Sequence, residues 1–241
     1  MSWQQDYLDR YYSRADGWVD GTTIFHSICS SVIPPGSDIL EIGSGPSNET
    51  SVFLSGLGNL QGVDIDPDIL TNKALTAAHV ITGDAYPFTD STFDTCVSNY
   101  VNEHITDPLA HLSEVWRVLK PGGVYIFRTP NRFHYTAVVS ALTPHWFHQL
   151  VANRLRNLPP ETHDPYPTCY KLNSRRTVER YAAETGFAID RLSMIEAEPL
   201  YGMSTRLLFF PFMVYERAVN SSEKLAGLRA NIFAVLRKTS L

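Results

Sequence analysis

The chain has 241 residues, 44% of them hydrophobic, and a formal net charge of −5. That length and composition suit a single globular domain, and the acidic balance excludes the broad basic field that a DNA or RNA backbone requires. Cys29, Cys96 and Cys169, the three cysteines, are too few and too scattered for a disulfide framework or a zinc site. The N-terminus, from Met1 to Asp9, is polar and carries no apolar signal core, which predicts a cytoplasmic protein.

In chain order, Tyr7 to Arg14 reads as a short helix, and Thr22 to Ile33 as a second that ends at Pro34-Pro35-Gly36. Asp38 to Glu41 reads as a buried strand running into a glycine turn, Gly43-Ser44-Gly45, with Glu41 just ahead of it. Glycines at a strand end let the backbone approach a ligand, since no Cβ intervenes and positive φ costs little. A second strand, Leu60 to Ile65, carries Asp64 near its end, where a β-α-β nucleotide site places the acceptor for ribose hydroxyls. Asp66-Pro67 is a helix start, with Asp as N-cap and Pro in the first helical position.

A third strand, His79 to Thr82, precedes Gly83-Asp84-Ala85, and a fourth, Thr95 to Asn99, precedes Tyr100 and the pair Glu103-His104. Asp107-Pro108 repeats the helix-start signal, and Leu109, Leu112, Val115, Trp116 and Leu119 then form one apolar stripe. Leu119-Lys120-Pro121-Gly122-Gly123 separates that helix from a fifth strand, Val124 to Arg128. A helix from Ser174 to Thr185 stops at Gly186, strand Phe187 to Ile195 follows, and Ile232 to Leu236 reads as the last strand.

This ordered series, over Asp38 to Asn131 and again Ser174 to Arg237, resembles the class I S-adenosylmethionine-dependent methyltransferases, in the small-molecule branch similar to ubiquinone-biosynthesis methyltransferases. The resemblance implies an α/β, Rossmann-like seven-stranded sheet with helices on both faces and the last strand antiparallel, inserted between its two predecessors. It implies S-adenosyl-L-methionine as cofactor. Glu41, Gly43, Ser44 and Gly45 would hold its methionine half. Asp64 would take the ribose hydroxyls, with Ile65 against the adenine face and Asp84 and Ala85 at the adenine edge. Asn99 and Tyr100 would line the methionine side. Where the family often has a third glycine this chain has Ser47, preceded by Pro46, which lacks a backbone donor.

Two stretches interrupt the alternation inside one domain, 1–241: cap insertions at about 132–171 and 200–229. The first, Arg132 to Lys171, leaves from a ligand-binding strand end. It holds His134, Tyr135, His145, Trp146, Phe147, His148, His163, Tyr166 and Tyr170. The second, Leu200 to Arg229, contains the apolar run Leu207 to Tyr215, too short to span a bilayer, in which Pro211 should start or kink a helix. That run reads as a lid, a dimer surface or a shallow peripheral membrane contact, so the protein is expected as monomer or homodimer. The aromatics suit an apolar or aromatic small-molecule acceptor. His145 and His148 have near-helical spacing, yet no third ligand accompanies them and no metal is expected.

The expected reaction is methyl transfer to a small acceptor, a hydroxyl oxygen ahead of nitrogen or carbon, with His104 first and His134 second as the catalytic base. Two other readings remain at this level: an NAD-dependent oxidoreductase, and a catalytically silent partner subunit that keeps the fold.

Overall fold

The computed structural model describes residues 3–13, 17–83, 85–142, 167–199 and 205–239. The chain divides into two compact units, Phe25–Pro130 with Pro167–Ser193 and Ile232–Leu241, and Met1–Ile24 with Asn131–Tyr166 and Met194–Asn231.

The first unit is built on a seven-stranded sheet. Its strands are β1 (Ser37–Ile42), β2 (Gly58–Asp64), β3 (Ala77–Val80), β4 (Phe93–Asn99), β5 (Leu119–Pro130), β6 (Phe187–Ile195) and β7 (Asn231–Lys238), in the order β3-β2-β1-β4-β5-β7-β6. β1 pairs in parallel with both β2 and β4, β2 with β3, and β4 with β5. The last strand is inserted before its predecessor and runs antiparallel. Central strands read as apolar runs because both faces are covered: Ile39, Leu40, Leu60, Cys96, Val97 and Phe127 are all buried completely. β1 is the point where the strand order reverses, and in open sheets of this kind ligands bind at such a point, here beyond the carboxyl ends of β1 and β4.

Short helices punctuate the strands. Gly21–Val32 forms α2, following α1 (Trp3–Tyr11). α3 (Glu49–Ser55), capped by Asn48, packs on β2, and α4 (Pro108–Val118), capped by Asp107, packs on β5. The α4 stripe differs from the expected one. Leu109 is 43% exposed, and His111 takes a buried place beside Leu112 and Val115. α5 covers Tyr135–Leu142, and α6 covers Arg175–Glu184 between the N-cap Ser174 and Gly186, whose φ is +80°.

Asp66-Pro67 does start a helix, but only a five-residue 3-10 turn, Pro67–Thr71. Asn72 ends it because its side chain is buried and tied elsewhere, to the Gly45 carbonyl at 3.2 Å and Ser51 Oγ at 3.0 Å. The third strand consequently begins at Ala77 and ends at Val80, two residues ahead of the expected His79 to Thr82.

The second unit holds α1, α5, α7 (Arg206–Asn220) and a 3-10 turn, Glu223–Leu228. Its interior is aromatic and polar. Tyr7 meets Phe209 edge-on at 4.9 Å, and the buried Glu216 accepts from Tyr12 Oη at 2.9 Å. Arg229 is buried and donates to the carbonyls of Val219 and Met194. Pro211 lies inside α7 and neither starts nor ends it. The bond it forgoes would have gone to the carbonyl of Leu207, a residue 83% exposed, so water can satisfy that acceptor. Nor is α7 buried all round: Phe209 is enclosed, while Leu207, Phe210 and Val214 stay exposed along one stripe. No helix among the described residues is long and apolar enough to cross a membrane.

Candidate active site

β1 delivers its chain to the turn at Gly43, whose N–H donates to Val63 O at 2.8 Å. Gly43 and Gly45 have φ of +69° and +52°. A Cβ on Gly43 would lie 2.3 Å from Val101 Cγ2, so only glycine fits between this turn and the segment after β4. Gly45 N–H donates to Asp64 Oδ2 at 2.8 Å, and Asp66 N–H to Asp64 Oδ1 at 2.9 Å. The two donors fix the carboxylate, and each oxygen retains a lone pair for a ligand hydroxyl. Ser47, standing at the missing third glycine, braces the turn from outside: its hydroxyl accepts from Lys73 N–H at 2.8 Å.

Glu41 lies beneath the turn, 3% exposed, and accepts from Ser51 Oγ at 2.6 Å. Burial pushes its carboxyl up to about 7, with the nearby Asp64 charge acting the same way. Ser44 Oγ is buried and has no hydrogen-bond partner in the structure. An approachable backbone, an orphaned hydroxyl and two carboxylates together suit a ligand with both an ammonium and vicinal hydroxyls.

Beyond β4, Asn99 Nδ2 donates to Thr50 Oγ1 at 3.1 Å, and Arg128 Nε donates to Asn99 Oδ1 at 2.8 Å. The Arg128 guanidinium lies 4.4 Å from the centre of the Tyr100 ring. Tyr100 has φ of +59°, a conformation that side chains rarely adopt and that tends to cluster at functional sites. Glu103 is buried and accepts from Thr129 Oγ1 at 3.0 Å; burial holds its carboxyl above the usual carboxylate range. The Glu103 carbonyl accepts from the N–H groups of Cys169 and Tyr170. His104 Nδ1 is 3.1 Å from Pro167 O, and its Nε2 is 4.0 Å from Glu103 Oε1. Because a carbonyl can only accept, Nδ1 carries the proton in neutral His104 and Nε2 presents the lone pair.

Glu41, Gly43, Ser44, Gly45 and Asp64 thus meet at one turn, and Val101 joins that turn to the segment bearing Asn99, Tyr100 and His104. Ile65 is 55% exposed just past β2, a free apolar face. Ala85 is exposed, and Asp84 lies outside the described residues. His134 is 2% exposed in the other unit, its Nδ1 2.7 Å from Thr136 Oγ1 and its Nε2 3.3 Å from Glu196 Oε2 without hydrogen-bond alignment. Among the described residues no group of His, Cys, Asp and Glu could hold a metal ion, and His145, His148 and His163 lie outside them.

Sequence reasoning missed Thr50, Ser51, Asn72 and Arg128. One local signal was available: Asn48 ahead of Glu49-Thr50-Ser51 is an N-cap, which would have placed α3, and with it Ser51, behind the glycine turn.

Residues 40–127 match a family described as a methyltransferase domain. An uncharacterized methyltransferase of Mycolicibacterium vanbaalenii is 32% identical over 130 residues, 51% of each chain. The chain therefore spans about half the length of the curated relatives it matches. Among solved structures, an S-adenosylmethionine-dependent methyltransferase of Methanosarcina mazei has a TM-score of 0.59 at 18% identity, covering 89% of this chain and 98% of its own. A phosphoethanolamine N-methyltransferase of Haemonchus contortus, in complex with S-adenosyl-L-methionine, has a TM-score of 0.57 at 18% identity, covering 100% of this chain and 61% of its own. The fold, a seven-stranded sheet with its last strand antiparallel, is the one these solved methyltransferase structures share, as the motif order implied.

Proposed function

We propose that this methyltransferase-domain protein binds S-adenosylmethionine and transfers its methyl group to a small organic acceptor, at a hydroxyl oxygen. The observation that carries the reading is the glycine turn after β1, bonded from Gly45 N–H to the Asp64 carboxylate at 2.8 Å. The cofactor would supply a methyl carbon made electrophilic by the adjoining sulfonium. Glu41 and the turn would hold its methionine half, Asp64 the ribose hydroxyls, Ile65 the adenine face, and Asn99 and Tyr100 the methionine side. The protein's part is then to orient the acceptor, exclude water and take a proton. His104 takes it through Nε2, with Glu103 beside it. Acceptor choice falls to residues 132–171 and 200–229, whose aromatic side chains suit an apolar or aromatic molecule.

An oxidoreductase using NAD would need a third glycine at position 48 of its G-x-G-x-x-G fingerprint, where Asn48 instead caps α3 and accepts from Ser51 N–H. Calorimetry against S-adenosylhomocysteine and NAD separates these readings, and methyl transfer to an acceptor panel separates an enzyme from a silent subunit. Asp64→Ala gives the site-level test. The ribose hydroxyls lose a charged acceptor worth about 1.5–3 kcal/mol, so S-adenosylhomocysteine affinity falls roughly ten- to a hundred-fold. Unchanged affinity in a folded Asp64→Ala protein defeats the assignment.

A further inference from the structure

A buried polar chain that includes none of the contact residues named above runs through the sheet-bearing unit. Tyr86 Oη lies 3.3 Å from His111 Nδ1, and His111 Nε2 lies 3.1 Å from Tyr125 Oη. Tyr125 Oη in turn donates to Asn102 Oδ1 at 2.9 Å, and Ser98 Oγ lies 2.7 Å from it. All five side chains are buried, Tyr125, Asn102 and Ser98 completely.

The proton positions in this chain can be assigned. Burial without a charged partner pushes His111 down to about 4, so at neutral pH its ring has one donor and one acceptor nitrogen. The single Tyr125 proton goes to Asn102 Oδ1, which has none of its own. His111 Nε2 must then be the donor to the Tyr125 oxygen, and Nδ1 the acceptor from Tyr86. Each link thereby fixes the next.

Its ends matter more than its middle. Tyr86 directly follows the Asp84-Ala85 segment, and its own N–H is pinned by Glu114 Oε1 at 2.6 Å. Asn102 stands between Val101, which walls Gly43, and the pair Glu103-His104. Stability alone does not account for such a chain. Apolar side chains of the same shape would serve a core as well, and Asn102 Nδ2 is left buried with no partner.

We propose that Tyr86, His111, Tyr125 and Asn102 form a positioning chain that holds the segment after β4 in register with the segment after β3. Resting on the S-adenosylmethionine reading, it sets the spacing between the two ends of the cofactor site, and His111 acts there as a positioning residue.

The test is a double-mutant cycle on the full chain, read as S-adenosylhomocysteine affinity by calorimetry with a melting curve for every variant. Tyr86→Phe and Tyr125→Phe keep shape and remove one hydroxyl each. Each is expected to weaken binding about tenfold, the scale of one hydrogen bond, and the double variant no more than the larger single loss. His111→Leu should match the double variant, and His111→Gln should recover part of the loss. Losses that multiply, or melting temperatures that fall while affinity holds, overturn the inference and leave the chain a core feature. Should the unaltered protein fail to bind S-adenosylhomocysteine at all, the cofactor reading falls, and the inference with it.

Discussion

Replacing His104 by Gln is expected to lower turnover by about two to four orders of magnitude, the usual contribution of a general base, with S-adenosylhomocysteine affinity unchanged. The geometry behind this is specific. Pro167 O accepts a hydrogen bond from Nδ1–H, so Nε2 is the nitrogen that can take a proton from a hydroxyl. Once it does, the resulting imidazolium has the Glu103 carboxylate 4.0 Å away. Glu103→Gln should therefore reproduce a smaller part of the loss, since it removes the counter-charge and keeps the base. The readout is turnover on a hydroxylated acceptor beside S-adenosylhomocysteine affinity for each variant. Full activity in that variant would mean that positioning alone drives transfer. His134 offers a contrast, because its ring is enclosed between Thr136 and Glu196. Its replacement should register chiefly as a lower melting temperature.

What made part of this site legible was local. The apolar strand ahead of Gly43, the carboxylate at the end of β2 and the Ser174 and Gly186 boundaries of α6 each follow from one short stretch of chain. Strand β6 runs over Phe187–Ile195, as its sequence indicates. The contacts that complete the site are long-range and leave no trace in spacing. Nothing near Asp64 says that Gly45 will donate to it across 19 positions, or that Asn72 will reach back 27 to the Gly45 carbonyl. Pro211, expected to start or kink its helix, lies inside α7 for a related reason. A proline rule assumes that a lost backbone bond is costly, and here the stranded carbonyl belongs to the exposed Leu207. His111 lies outside the expected apolar stripe, and it is two tyrosine hydroxyls distant in sequence that make it part of the core.

Glu41→Gln should trade function for stability, and the sign can be worked out. Burial raises the Glu41 carboxyl from 4.5 to about 7 in the folded protein. A raised folded value means the folded state prefers the protonated acid, so that contribution is full below the unfolded value near 4.5 and is lost as pH rises through 7. Above that, keeping the carboxylate ionised in place costs about 3 kcal/mol, since each tenfold change in the protonation equilibrium is worth about 1.4 kcal/mol. Gln retains an oxygen for Ser51 Oγ and never carries the charge. Chemical unfolding should thus find the variant close to the parent near pH 4.5 and more stable by roughly 2–3 kcal/mol at pH 8. A gap that stays flat with pH would sink this account of Glu41. Binding should move the opposite way. The ammonium of the cofactor's methionine half would restore a partner to the ionised carboxylate, so parent affinity for S-adenosylhomocysteine should rise as pH climbs toward 7. Glu41→Gln should flatten that rise, binding much as the parent does near pH 4.5 and more weakly above pH 7. A carboxylate that destabilises the folded chain until a ligand arrives is best explained by the ligand.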